Sequence, residues 1–306
     1  MFYNAISIGR IMKKYKFTKW GIAIPCVLLI SVVVVLAIMH IIAGRSPSIR
    51  GSKTFILSFI RSTLDSRSVK SYRKGDYTSI IFLHQSTGRN LIEQGRVREQ
   101  FQKAGYDFWD HDYNFIGLRD PNGLSKGYSY NVPGDNTNPD GLANIFKQPA
   151  YPSPFNTFSG LLQHEVIIIK SCFPNSNIQS GEQLAQNKAM YLGMRAVMDQ
   201  HSDKIFIVMT TPPLNPAETN SETAARARAM ADWLKSDEFL LGHPNIYAFD
   251  FYSYLADDQP GSPEFNMLRK EYQDEADSHP NRLANETIGP EFVQFVIQSI
   301  DSYKSR

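Results

Sequence analysis

Three short stretches, far apart in the chain, hold side chains of the kinds that nucleophilic catalysis uses. They are "SIIFLHQSTGRNLI" at 79–92, "KSCFPNSNI" at 170–178 and "DEADSHPN" at 274–281. In the first, four apolar residues run from Ile80 to Leu83, and Ser86 stands between that run and a helical pattern. A serine hydroxyl is a weak nucleophile until a base takes its proton, and an imidazole, which titrates near neutrality, suits that work. His279, before a proline in a polar loop, has no obvious packing duty. Taken alone, each residue has a plainer reading: Ser86 as a helix cap, Asn175 as turn chemistry after a proline, His84 as the end of a strand.

The elements that must position these residues can be read from periodicity. Short β-rich apolar runs at 80–83, 106–109, 166–169, 205–209 and 246–249 alternate with helical patterns at 90–103, 181–201, 222–234 and 286–303. Such alternation predicts an α/β fold, a doubly wound and mostly parallel five-stranded sheet of flavodoxin-like order with helices on both faces. Loops at the carboxyl ends of the strands then form a crevice, and those after the first and third strands flank the point where strand order reverses. Ser86 follows the first strand, Asn175 the third, and His279 lies between the fifth strand and the last helix, so serine, asparagine and histidine should meet at one edge. Gly88 is expected to permit a tight strand-to-helix turn and Thr87 to cap the helix. One stretch breaks the rhythm: 110–159, rich in Asn, Asp, Gly, Pro and aromatics, reads as a long insertion after strand two with a short helix near 142–146.

This arrangement resembles the SGNH, or GDSL-like, hydrolases over roughly residues 78–306. The resemblance rests on the strand-then-serine opening, on "DSHPN" and on the order of the elements. It implies Ser86 as nucleophile, His279 as base, and an oxyanion hole made by the Ser86 backbone N–H and the Asn175 side chain, with Asn177 as rival. The departures are specific. The family's Gly-Asp-Ser reads His84, Gln85, Ser86; its oxyanion glycine falls on Gly117 or Gly123; and its acid, normally three residues before the histidine, meets Ala276. Asp277, two before, is the candidate acid, with a backbone carbonyl as the alternative partner of the imidazole. His84, Trp109 and Tyr113 are the candidate substrate contacts, and Trp109, Tyr113, Tyr128 and Tyr130 offer rings on which sugars stack. The expected activity is hydrolysis of an ester, with O-acyl groups on a cell-envelope glycan as the candidate substrate. An acyltransferase would use the same residues, and a non-catalytic binding module would keep only the fold.

Residues 21–44, "GIAIPCVLLISVVVVLAIMHIIAG", contain no acid, Lys or Arg and are long enough to cross a hydrocarbon core of about 30 Å. The organisation expected is a basic leader (1–20), a transmembrane helix (21–44), a basic juxtamembrane neck (45–77) and the α/β domain (78–306). A short basic leader favours a cytoplasmic N-terminus and an extracytoplasmic domain. The charge is split: residues 1–78 hold 13 Lys or Arg against Asp65 and Asp76, a net of +11, whereas 79–306 hold 19 against 28, a net of −9. An acidic domain argues against nucleic acid, and a basic neck suits anionic lipid headgroups. With two cysteines, Cys26 in the apolar run and Cys172 in the domain, no disulfide framework is available to the domain. Nothing around Cys172 matches a thiol-protease signature. No cofactor or metal is expected: "NTNPDG" at 136–141 imitates half a calcium loop, but Lys147 stands where the bidentate glutamate is needed.

Overall fold

Strands form where four or five consecutive residues can be dry on both faces. In the computed structural model, which describes residues 34, 57, 58, 60–66, 69 and 75–306, β1 (Ser79–Leu83), β4 (Val166–Lys170) and β5 (Ile205–Met209) are buried at every position. That is why they read as unbroken apolar runs rather than alternating ones. β2 (Asp107–His111) and β6 (Ile246–Phe249) complete the parallel set. A sixth strand, β3 (Leu118–Arg119), pairs antiparallel with β2 inside the insertion, so the sheet has the order β3-β2-β1-β4-β5-β6 rather than five strands. Two residues in a loop rich in Gly and Asn carry no period from which to read a strand.

Successive residues of each strand feed opposite faces. Ile81, Leu83, Ile167, Ile169 and Val208 pack under α3 (Pro139–Phe146), α5 (Gly181–Met198) and α6 (Ser221–Lys235). Ile80, Phe82, Ile168, Ile207 and Met209 face α1 (Ser86–Gln94), α2 (Val97–Lys103) and α9 (Arg282–Lys304). Shorter helices α4 (Thr157–Leu161), α7 (Asp237–Leu240) and α8 (Phe251–Leu255) join these layers.

Two contacts bring the ends of the domain together. Gly95, just after α1, lies against Gly289 of α9 so closely that a Cβ on Gly289 would come within 2.5 Å of the Gly95 carbonyl oxygen. Asn285 of α9 also donates to Gln94 at 2.8 Å. Because α9 starts three residues after His279, docking it on α1 carries the histidine loop back to the start of α1, where Ser86 sits.

The apolar run 21–44 lies outside the described residues apart from Val34, as do the leader and much of the neck. Among the described residues no helix is long and apolar enough to cross a membrane.

Candidate active site

Ser86 is the first residue of α1, whose N-cap position is held by Gln85 without a side-chain cap bond. Thr87 therefore is not the cap. It is fully buried, and its hydroxyl receives a hydrogen bond from Lys170. Gly88 is needed for space: a Cβ there would lie 2.4 Å from the Cβ of His84, so only glycine lets the helix leave the strand end at this angle. The N–H groups of a helix's first turn have no acceptor within the helix. The backbone N–H of Ser86 is one of these, at the positive end of the helix dipole.

The Ser86 hydroxyl donates to His279 Nε2 at 2.7 Å, although 193 residues separate the two. On the other side of the ring, Nδ1 lies 2.8 and 3.0 Å from the two carboxylate oxygens of Asp277. The two-residue spacing works because the Asp277 carboxylate also accepts the His279 backbone N–H at 3.0 Å. That local turn folds the side chain back beside the imidazole. Burial pushes the Asp277 carboxyl up, but the His279 backbone N–H and imidazole outweigh it and hold the acid below the usual carboxylate range. Phe173 packs edge-on against the imidazole at 4.7 Å.

The histidine loop is pinned by residues the sequence reading did not single out. Asn215, in the loop after β5, donates to the carbonyls of Glu275 and Asp277 at 3.0 and 3.2 Å and gives its own N–H to Ser278 Oγ at 2.9 Å. Ser278 donates in turn to Glu218. Asn281 caps α9 by accepting the Ala284 N–H at 3.1 Å. Polar residues in loops are ordinary, so only their convergence in space marks these.

Asn175 is half-buried in the turn after β4, and its amide donates to Asn138 Oδ1 at 2.9 Å and to the Cys172 carbonyl at 3.1 Å. Asn177 is exposed and accepts from Gln179. Gly117 and Gly123 both hold left-handed turns in the β2–β3 region; at Gly117 (φ +74°) a Cβ would also strike the Tyr128 carbonyl at 2.2 Å. Gln85, next to Ser86, donates its side-chain amide to the Asp135 carbonyl in the loop before α3, 2.8 Å away.

The three candidate substrate contacts separate. His84 is 0% exposed, its ring held between the Gln85 carbonyl (2.9 Å) and Asp110 (3.1 Å). Trp109 is 7% exposed on β2 within the core. Neither offers substrate a surface, because the parallel sheet is covered on both faces where they stand. Tyr128 and Tyr130 are likewise buried. Tyr113 alone is partly open, stacked on the exposed ring of Phe115 at 5.7 Å and lying 5.8 Å from the Arg89 guanidinium.

Beneath the serine lies a charged layer. Lys170 is 1% exposed at the end of β4 and donates to Thr87 and to the Ser171 carbonyl. Burial pushes its ammonium well down, while Cys172 and Asp112 pull the other way. Burial raises the Cys172 thiol, but Lys170 and the hydrogen bonds from Thr87 and Ser86 more than reverse this. Cys172 Sγ is 3.6 Å from Ser86 Oγ and 3.5 Å from Thr87 Oγ1. Its neighbour is therefore the serine, and among the described cysteines it is free. Arg89 ties the same helix to buried Asp112 at 2.6 Å. No group of His, Cys, Asp and Glu suited to a metal ion occurs among the described residues.

Counting parallel strands alone, the sheet runs 2-1-3-4-5, with the serine after the first strand and the histidine before the last helix. This is the flavodoxin-like order expected from the sequence. No family profile matches the chain, and no curated protein does. Among solved structures it is similar to a Bacteroides fragilis protein provisionally named an acylhydrolase. That match has a TM-score of 0.45 at 11% identity and covers 79% of this chain and 96% of that one. It is also similar to a GDSL-like lipase of Bacteroides thetaiotaomicron, with a TM-score of 0.45 at 9% identity over 78% of this chain and 97% of that one.

Proposed function

We propose that the protein is a serine hydrolase of acyl esters, held at a membrane by residues 21–44. The observation that carries the chemistry is the unbroken contact from Asp277 through His279 to the Ser86 hydroxyl, 2.7 Å from the imidazole. Ser86 Oγ attacks the ester carbonyl carbon while its proton passes to His279 Nε2, and the carbonyl electron pair moves onto oxygen. The oxyanion is met by the Ser86 N–H and by the Asn175 amide once that amide leaves Asn138; one such donor lowers the barrier by about 3–4 kcal/mol. Collapse returns the electron pair, breaks the ester C–O bond and sends the His279 proton to the leaving alcohol. A water then loses its proton to the same nitrogen and attacks the acyl-serine, releasing the carboxylic acid and restoring Ser86. Asp277 keeps Nδ1 protonated, so Nε2 is the atom free to accept.

For the substrate we favour an O-acyl group on a cell-envelope glycan. Support comes from the stacked pair Tyr113 and Phe115, the latter 82% exposed, on which a sugar ring can lie. The uncharged 24-residue run supports an anchor with a cytoplasmic N-terminus and the domain outside. Turnover of a panel of acyl esters and acetylated glycans by the purified full chain tests the reading. Hydrolysis that disappears in Ser86→Ala is expected, and turnover that survives it removes the mechanism.

A further inference from the structure

The helix at residues 57, 58 and 60–66 faces the wrong way for a water-exposed surface helix. Such helices turn their apolar stripe inward. Here the buried positions from 57 to 66 are Ser58, Ser62 and Ser66, at 5%, 2% and 9% exposure, spaced every four residues along one side, and Val69 at 3% follows on that side and joins the core. That side is fastened to the insertion. Arg61 donates to the Gly127 carbonyl at 2.8 Å, Tyr128 to Asp65 at 2.9 Å, and Lys126 pairs with Asp65 at 3.0 Å. Outward stand Leu57, Ile60 and Leu64, at 43%, 47% and 78% exposure, and the loop whose Lys126 pairs with Asp65 of this helix also exposes Leu124, at 65%. A docked helix cannot roll over to hide these residues without breaking the Arg61 and Asp65 contacts.

We infer that this face, Leu57, Ile60, Leu64 and Leu124, rests in the headgroup and upper acyl layer of an anionic lipid bilayer. Small serines inside let the helix seat closely on the domain, while the large aliphatics are left for a solvent other than water. Two features favour a bilayer over another protein. The uncharged apolar run ends at residue 44, so 12 residues separate it from Leu57. A chain of that length spans at most about 40 Å, which keeps the helix within reach of any bilayer that holds the run. Residues 45–78 also carry 8 Lys or Arg against Asp65 and Asp76, a net of +6 that complements anionic headgroups. The inference rests on the anchorage proposed above and not on the hydrolase chemistry. Its consequence is orientation: the domain lies with the β3 edge of its sheet against the membrane and the β6 edge away from it.

Full-length protein in which Cys26 and Cys172 are serine, bearing one fluorophore at a time, tests this. The labels sit at Leu64→Cys, Leu124→Cys and, near the opposite edge of the sheet, Leu241→Cys, a position 74% exposed. The protein is reconstituted in vesicles of phosphatidylcholine and phosphatidylglycerol containing a lipid quencher placed just below the headgroups, and is compared with detergent micelles. Labels at 64 and 124 should lose roughly half their emission or more, as side chains buried about 5–10 Å deep do, while the label at 241 is unchanged. Equal, weak quenching at all three sites in protein that stays with the vesicles overturns the inference. So does shielding of 64 and 124 that appears equally in detergent and grows with protein concentration, which would make the occupant a second copy. Failure to stay with the vesicles after an alkaline wash removes the anchorage and this inference with it. Ester turnover, measured on the parent, is read separately.

Discussion

Two histidine–aspartate pairs stand near the start of one short helix, α1. His279 and Asp277 are 28% and 56% exposed, and the ring's second nitrogen faces Ser86. His84 and Asp110 are both 0% exposed; the ring's second nitrogen faces the Gln85 carbonyl, and Arg98 holds the other oxygen of Asp110. Burial pushes the Asp110 carboxyl up, but His84 and Arg98 together bring it below the ordinary range. The same two residue types are thus placed to reach a nucleophile in one case and to brace the core in the other. What separates them is whether the imidazole has a nitrogen left for a nucleophile.

Ser86→Ala and His279→Ala, the sharpest attack on this contrast, should each lower ester turnover by at least about a thousandfold, and the double variant should be no worse than either, since one attacking unit is lost. Their unfolding free energies should move by no more than about 0.5 kcal/mol, as for other partly exposed sites. Asp110→Ala should do the reverse. Removing the buried carboxylate that His84 and Arg98 share should cost about 3–5 kcal/mol in denaturant unfolding, with activity lost only as the fold is lost. Asp277→Ala falls between: a kcat loss of up to about a hundredfold, since water can replace an exposed orienting group, with little change in the melting temperature.

The contrast extends to pH. His164 and His111 are neutral in the core: burial holds their pKa near 3 and near 4, helped at His164 by the Lys204 charge and at His111 by His84. In the unfolded chain they titrate near 6.5, so below that pH the unfolded state binds protons that the native state refuses. Their stabilising contribution is therefore complete above about pH 6.5 and is lost as the pH falls toward 4 and then 3. The slope is about 1.4 kcal/mol per pH unit for each histidine, and His164→Gln should remove one such increment from it. Cys172→Ser should have the smallest effect, leaving turnover within about tenfold, because a hydroxyl can keep the contacts to Ser86 and Thr87.

These environments also mark how far a sequence can be read. The five parallel strands and the meeting of serine with histidine follow from apolar runs and strand-end logic, which need no knowledge of side-chain partners. The expected helix at 90–103 is broken in two by Arg96 in a left-handed conformation (φ 52°). Nothing in "EQGRVREQ" fixes that break, since glycine, not arginine, is the residue that favours such a turn. Lys170, His84 and Asp110 could not be placed. In sequence they are charged or titratable residues of the kind that lies at surfaces, and their burial depends on partners up to 83 residues away. The Asp277 spacing stayed open for a similar reason, because only the bond from the His279 N–H shows the carboxylate turned back toward the ring.

The account's central claim is that Ser86 is a nucleophile armed by His279, and covalent trapping tests it most directly. A fluorophosphonate probe, which reacts with an activated serine hydroxyl, is incubated with the full chain, and the adduct is mapped by peptide mass spectrometry. The account predicts one adduct, on the peptide containing Ser86, that is absent in Ser86→Ala and nearly absent in His279→Ala. An adduct on another residue, or labelling of Ser86 at an undiminished rate in His279→Ala, would contradict it.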